Sequence, residues 1–293
     1  MRIMTSNIWG DFFNNPTSLR KDQILRVYEK YEPDVIGFQE VAAGWYDVDL
    51  FEKLSAQYHF VGIDCFDKTN STPLAVKKEY TIIANGHEQL DNTPDWSKAI
   101  TWAVIEKGNE RIGVCNTHFW WMRGSEPEQV KKWAGVLEYT FDDHCELRSH
   151  NAKQLSQLMK HLHNKYSCPV FAFGDMNATV SESVFDVYSE NGIQKLYDLT
   201  GHKDNVCSVH GNPERGEDGM FHGQKATTES INYLRSLLCL LEDKKLEGYF
   251  SSIDHIVGLG DNFEVMQYRV VEDQDALDVS DHSPVYADVE LMK

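Results

Sequence analysis

Six short polar groups stand at the ends of apolar runs in this 293-residue chain: Asn7, Gln39-Glu40, Asn116-Thr117-His118, Gly174-Asp175-Met176-Asn177, Ser252-Ile253-Asp254-His255 and Ser280-Asp281-His282. One carboxylate after a strand is usually a turn-former or a helix cap. Six such groups in one chain, each after a buried strand, are poorly explained by chance. Their chemistry is also coherent. Glu40 and Asp281, with the Asn7 amide, offer the hard oxygen ligands that Mg²⁺ prefers. No Cys/His cluster of zinc spacing occurs, which argues against structural zinc. Asp175 and Asn177 are one residue apart, so both can point to one side of a strand end. An Asp there can take a proton from attacking water while the amide holds the water or a phosphoryl oxygen. His282 can reach a phosphate while Asp254 accepts its other ring N–H and fixes the tautomer. His118 is a second imidazole that can donate as charge builds up. Together the groups describe metal-assisted hydrolysis of a phosphate ester, with Mg²⁺ the expected ion and Mn²⁺ the second choice.

Such groups need elements to position them. Arg2 to Ile8 reads as a strand, followed by a helix from Ser18 to Tyr31 with Ser18 as N-cap and an apolar face of Leu19, Ile24, Val27, Tyr28 and Tyr31. Pro33 stops that helix, and Val35 to Phe38 is a buried strand. Trp45 to Tyr58 reads as a second helix. Thr81 to Ala84 is a strand, and Ala99 to Glu106 with Arg111 to Phe119 form a hairpin turned at Gly108-Asn109. Glu146 to Tyr166 is an amphipathic helix with Leu155, Leu158, Met159 and Leu162 on one face. Pro169 to Phe173, Ser252 to Val257, Phe263 to Val271 and Val285 to Leu291 complete the strands. The chain is mixed α/β, with its polar residues at strand ends, where open α/β and sandwich folds place their chemistry.

Composition sets outer bounds. Hydrophobic residues are 41% and charged residues 25%, enough apolar surface for a core and against disorder. No repeat, low-complexity tract or linker divides the chain, so residues 1–293 are expected to form one domain. No apolar run is long enough to span a bilayer. The first residues read as a strand rather than a secretory signal, and six scattered cysteines, Cys65 and Cys239 among them, read as reduced thiols; a cytoplasmic location is expected. Lys and Arg number 28 against 46 Asp and Glu, a net charge of −18. That balance gives no long-range attraction to nucleic acid or anionic membrane, although a bound divalent cation would reverse the field locally.

The ordered set Thr5-Ser6-Asn7, Gln39-Glu40, Thr117-His118, Gly174-Asp175-Met176-Asn177, Ser252-Ile253-Asp254-His255-Ile256 and Ser280-Asp281-His282 resembles the endonuclease/exonuclease/phosphatase superfamily. Met220-Phe221-His222-Gly223 is similar to a Thr-Phe-His-Gly stretch of some members, with Met220 departing from it. The resemblance runs from Arg2 to about Val289. It implies a DNase I-like four-layer α/β/β/α sandwich, two mixed sheets face to face with helices outside. It further implies that Glu40 is the principal metal carboxylate, with Asn7 and Asp281 near the metal. By the same resemblance Asp175 activates water, assisted by Asn177, His118 serves the phosphate, and Asp254 pairs with His282.

Two stretches read as insertions into the family pattern, 119–147 and 224–249. The first carries Trp120, Trp121, Trp133, Tyr139 and Phe141 and the cluster Asp142-Asp143-His144; in the second, Ile231, Leu234, Leu238 and Leu241 suggest a helix. Both can wall a substrate cleft, and Trp120, Trp121, His222 and His255 are the candidate substrate contacts. The bland alternatives are that Trp133 and Tyr139 pack an inserted helix, that Asp142 to His144 is a solvated loop rather than a second metal site, and that the leucines are core. His161, His163, His202 and His210 have no context beyond surface or helix positions. The expected activity is hydrolysis of a phosphodiester or phosphomonoester, a small or sugar-linked phosphate fitting the acidity. A nuclease acting on DNA or RNA is the alternative within the family, and a non-catalytic scaffold the alternative outside it. No membrane association and no protein partner is expected.

Overall fold

The computed structural model describes residues 1–63, 70–201, 207–227 and 252–292. Fourteen strands fall within them: β1 (Arg2–Asn7), β2 (Val35–Gln39), β3 (Tyr58–Val61), β4 (Leu74–Lys77), β5 (Thr81–Gln89), β6 (Ala99–Lys107), β7 (Glu110–His118), β8 (Val170–Asp175), β9 (Gln194–Lys195), β10 (Glu214–Arg215), β11 (Phe221–His222), β12 (Asp254–Leu259), β13 (Phe263–Val270) and β14 (Val285–Leu291). The helices are α1 (Lys21–Tyr31), α2 (Ala43–Asp47), α3 (Leu50–Leu54), α4 (Glu128–Trp133), α5 (Phe141–Tyr166), α6 (Ser183–Glu190), α7 (Leu196–Leu199) and α8 (Gln274–Val279). One six-stranded sheet runs β13-β14-β1-β2-β4-β3, and a second runs β5-β6-β7-β8-β12-β9.

Strand alternation explains why these sheets stack. Ile3 and Val35 of the first sheet meet Val114, Phe171, Phe173 and Ile256 of the second in a central core. The residues between them point outward. Met4, Ile36 and Phe38 pack on Ile24, Val27, Tyr28, Trp45 and Ala276 from the helices of one outer layer. Val170, Ala172 and Val257 pack on Leu155, Leu158, Met159 and Leu162 of α5 in the other. Each such buried leucine contributes about 1.5–3 kcal/mol relative to exposure. The result is the expected four-layer sandwich.

Each sheet holds one parallel pair at its centre. β1 pairs with β2 in parallel, crossing over through α1, and β7 pairs with β8 in parallel, crossing over through α4 and α5. All four strands therefore end at the same edge, delivering Asn7, Gln39, His118 and Asp175. Below that edge a polar ladder joins the sheets. Thr5 Oγ1 donates to Gln39 Oε1 (3.1 Å), Gln39 Nε2 to Asn116 Oδ1 (2.5 Å), and Asn116 Nδ2 back to the Phe38 carbonyl (2.7 Å). A β-carbon at Gly37 would lie 2.4 Å from Phe173 and 2.5 Å from Asn116 Oδ1, so only glycine permits this approach.

Some elements differ from expectation. The Gly108-Asn109 turn forms as read, with Lys107 opposite Glu110. Trp45 to Tyr58 is not one helix but α2, α3 and the start of β3, broken where Val48 is extended. Ser18 does not cap α1; it lies in a 3₁₀ turn, Thr17–Leu19, and the helix begins after Arg20. α5 starts five residues earlier than read, because Thr140 and Asp143 form a capping box. Asp142 to His144 is therefore helix and not a solvated loop, with His144 buried. Trp133 does not pack an inserted helix, being 83% exposed. The expected helix at Ile231 to Leu241 lies outside the described residues, as do His202, Cys65 and Cys239.

Candidate active site

Three neighbouring strands of the second sheet set their acidic and imidazole groups in one row, with His118 opposite Asp175 and Asp175 opposite Asp254. Parity places all three side chains on the inter-sheet face, in step with Phe173 and Ile256. Asp175 lies at the centre. Its Oδ2 is 3.4 Å from His118 Nε2 and 3.8 Å from His282 Nε2, and it accepts from Asn7 Nδ2 at 3.1 Å. His282 Nδ1 pairs with Asp254 Oδ2 at 2.8 Å, which leaves Nε2 turned to Asp175. Asp254 is itself held by its backbone, whose N–H donates to Ser208 Oγ (3.2 Å).

The first sheet brings Asn7 and Glu40. Asn7 Nδ2 bridges Glu40 Oε1 and Asp175 Oδ2, 3.1 Å to each, while its Oδ1 accepts from the Trp9 N–H; Glu40 Oε2 accepts from the Gly10 N–H. Glu40 and Asn177 both adopt left-handed backbone, φ 59° and 47°. For non-glycine residues that conformation costs about 1–2 kcal/mol each, and surrounding contacts must hold it. For Asn177 they are visible: its N–H donates to Asp175 Oδ1 (2.9 Å), its Nδ2 to the Phe119 carbonyl (3.1 Å), and Arg123 donates to its carbonyl. Before Asp175, Gly174 has φ 149°, and a β-carbon there would lie 1.9 Å from the Thr117 carbonyl oxygen.

Electrostatics follow from burial. Burial pushes the Asp175 carboxyl up to about 7, helped by Asp254 and opposed by His282. Burial pulls His282 down, but Asp254, Asp175 and Asp281 together outweigh it and hold the imidazole well above its ordinary value. His118 moves the other way, lowered by burial and then by Lys98 and His282. Burial raises Asp281, against the attraction of His282.

The donor set fits a hard divalent cation. Glu40, His118 and Asp175 each present a ligand atom within 4.8 Å of one another, and Asp175, Asp254 and His282 form a second such group. The two carboxylates, Glu40 and Asp175, match Mg²⁺ or Mn²⁺, whereas Asn7 turns its NH₂ toward them and its oxygen to the Trp9 N–H, so the expected amide ligand is not presented. The Asn7 NH₂ lies between the two carboxylates, the place where their negative charge calls for compensation. Asp281 belongs to neither close group, although its charge is felt at His282 and Arg20.

Other expected residues are placed elsewhere. His255 follows Asp254 and so faces outward, its Nε2 bonded to the Ala178 carbonyl (2.8 Å) and its ring edge-on to Phe185. Trp120 is fully buried, donating from Nε1 to His144 Nδ1 (2.8 Å). Both are packing residues here rather than substrate contacts, for the same reason: the ring is already committed within the core. Trp121 is half-buried against Trp120. His222 is exposed on the β10–β11 hairpin and pairs with Asp218 (3.0 Å).

Three groups were not anticipated. Lys98 is buried, with Nζ 2.8 Å from His118 Nε2, and burial lowers its pKa against the pull of Asp95, Glu40 and Asp175. His210 is not a surface residue: it is 8% exposed, its N–H donates to the Asp281 carbonyl (3.0 Å), and burial with the nearby His282 pushes its imidazole down to about 4. Arg123 and Arg148 converge on Glu182 beneath Asn177. The expanded stretch that carries Arg123 was the available signal for that last group; nothing in the sequence marks the other two.

The sequence from residue 4 to 282 matches the model of the endonuclease/exonuclease/phosphatase family. The chain belongs to that family. As a member it is an enzyme of phosphate-ester hydrolysis, in a family that is typically metal-dependent. No curated protein matches the sequence. Solved structures similar over the whole chain include a family member from Bacteroides vulgatus (20% identity, TM-score 0.66, 99% of this chain and 98% of that one). A mannosyl-6-phosphatase from Bacteroides thetaiotaomicron is similar at 16% identity and TM-score 0.67, over 99% and 100% of the two chains. The human nocturnin catalytic domain with bound sulfate is similar at 16% identity and TM-score 0.64, over 100% and 94%. At these identities the likeness is one of fold, and it is the DNase I-like sandwich.

Proposed function

We propose that this enzyme hydrolyses a small phosphate ester by direct attack of water, with Mg²⁺, or secondarily Mn²⁺, held principally by Glu40 and with Asn7 and Asp281 near it. The observation that carries this reading is the convergence of groups from both sheets on Asp175 Oδ2. A bound divalent cation would supply Lewis-acid compensation of phosphoryl charge. The chain's own residues do the rest. Asp175 receives the proton of the attacking water, and Asn177 helps to position that water. The Asp254–His282 pair presents Nε2–H to a phosphoryl oxygen, and His118, backed by Lys98, stabilises charge on the same group. No residue of the row is missing, which speaks against a scaffold that has lost its chemistry.

A net charge of −18 supports a small ester over a polyanion, so a nuclease is the second choice. Among the described residues no helix is long and apolar enough to cross a membrane. The test compares Mg²⁺-dependent hydrolysis of p-nitrophenyl phosphate and bis(p-nitrophenyl) phosphate with Asp175→Asn protein as blank. Turnover that the variant abolishes supports the reading, and the preferred ester separates phosphatase from diesterase. Equal rates in wild type and variant would remove Asp175 from the mechanism.

A further inference from the structure

Arg20 is wholly buried, and its guanidinium reaches the backbone of two distant segments that both lead into the site. Nη1 donates to the carbonyls of Ile8 (3.0 Å) and Val279 (2.6 Å). Nη2 donates to those of Trp9 (2.9 Å), Asn15 (2.8 Å) and, at longer range, Gly10 (3.3 Å). Residues 8–10 follow directly on Asn7, and their amides serve the site: the Trp9 N–H donates to Asn7 Oδ1 and the Gly10 N–H to Glu40 Oε2, 3.1 Å each. Val279 ends α8 and stands just before Ser280-Asp281-His282. One planar group thus grips the chain beside Glu40 and the chain beside Asp281. A guanidinium does this with donors spread over a rigid fork, whereas an ammonium gathers its three donors on one nitrogen.

Aromatic rings enclose the guanidinium. Its Cζ lies 5.0 Å from the centre of the Trp9 ring, 4.9 Å from that of Trp45 and 6.0 Å from that of Phe221. Trp45 Nε1 also donates to the Trp9 carbonyl (3.0 Å). Trp9 needs this support, because its φ of 50° is left-handed, a conformation that an L residue keeps only where contacts hold it. The Phe221-His222-Gly223 stretch closes the cage. Phe221 meets Trp9 edge-on at 6.1 Å, and the Gly223 N–H donates to Asp278 Oδ1 of α8 (2.9 Å). The guanidinium attracts Asp281 and Glu40, while those two carboxylates repel each other. Like charges that share one cation drift apart unless the backbone beneath them is tied.

We infer that Arg20 is a positioning residue for the metal: it ties residues 8–10 to the end of α8, so that Glu40 and Asp281 stand beside one ion. The inference rests on the metal-dependent hydrolase reading and deepens it. The experiment is calorimetric titration with Mg²⁺ and Mn²⁺ of wild type, Arg20→Lys, Arg20→Met, Glu40→Gln and the Arg20→Lys/Glu40→Gln double variant, each shown to be folded by near-ultraviolet circular dichroism. Arg20→Lys keeps the charge and loses the fork. Both single Arg20 variants are expected to bind the ions about tenfold or more weakly, the range for residues that orient metal ligands. In the Glu40→Gln background the Arg20 effect should shrink to under about threefold, because the carboxylate it positions is gone. A role of charge alone has the opposite sign: Arg20→Met would bind more tightly through loss of a repelling cation, and Arg20→Lys would match wild type. Either result overturns the inference. An Arg20 effect of equal size with and without Glu40 marks general loosening and overturns it too. If the Arg20 variants do not fold, Phe221→Leu decides, since it opens only one side of the cage. Its affinity should be about threefold weaker, and a wild-type value overturns the inference. A wild type that takes up neither ion overturns the metal reading together with the inference, whereas uptake by wild type that the variants match overturns the inference alone.

Discussion

Replacing Glu182 by Gln keeps the shape of a buried side chain and removes one charge, which makes it a sharp test of how the Asp175–Asn177 loop is held. Glu182 accepts from Arg123 Nη1 (2.8 Å), Arg148 Nε (3.0 Å) and the Thr179 N–H (3.0 Å), and Arg123 in turn donates to the Asn177 carbonyl. Arg148 is wholly buried and Arg123 is 4% exposed, so neither guanidinium can find water once the carboxylate is gone. Breaking a buried pair by removing one partner costs about 3–5 kcal/mol. That is a large part of the roughly 5–15 kcal/mol of a typical domain. With a urea slope of about 3 kcal/mol/M, the midpoint should fall by about 1–1.7 M. The assay is urea unfolding followed by tryptophan fluorescence, alongside kcat, which should fall as Asn177 loses its anchor. The pH dependence adds a second check. Burial pushes the Glu182 carboxyl up, but Arg148 and Arg123 outweigh it and hold it below its ordinary value. A depressed carboxylate contributes stability that is present above its unfolded pKa, about 4.3, and is lost as pH falls through the folded value. The gap between wild type and Glu182→Gln should therefore close below about pH 4. A midpoint shift under about 0.3 M at neutral pH would refute the claim that this triad carries the loop.

The remaining expectations concern the site itself. Glu40→Gln should weaken Mg²⁺ and Mn²⁺ binding by about tenfold or more in calorimetric titration while the far-ultraviolet circular dichroism stays the same; unchanged affinity would remove Glu40 as a ligand. Lys98→Met, close to isosteric, should lower kcat by about tenfold or more, within the range of a positioned electrostatic group, and a wild-type rate would make Lys98 a packing residue.

Much of this was legible because the site is built at strand ends. An apolar run followed by Asn7, Glu40, His118 or Asp175 announces both the strand and the group it delivers. Parity was the neglected signal at His255. Asp254 and Ile256 face the other sheet, so their neighbour must face the helices, and the sequence holds that alternation. Lys98 was invisible for a different reason. It precedes β6 in a turn fixed by Asp95 and Gln89, and its path to His118 depends on how two hairpin strands lie beside β7. Trp45 to Tyr58 misled because its apolar residues suit a helix, while the extended Val48 breaks it and Tyr58 is drawn into the sheet by pairing with Lys77. Local periodicity has no access to such distant pairings.

The two parallel pairs divide the chemistry between them. β1 and β2 bring Asn7 and the strand leading to Glu40, whereas β7 and β8 bring His118 and Asp175. A chain that has formed only one sheet owns half of a catalytic centre. Asp254 and His282 arrive from the last part of the sequence, the latter beside the strand that closes onto β1. Contacts of such sequence separation form late, because the entropy of closing long loops must be met first. Activity should thus be the last property recovered on refolding, after secondary structure and after burial of the tryptophans. The enzyme's competence is a statement about the whole chain, and no excised half of it should hydrolyse anything.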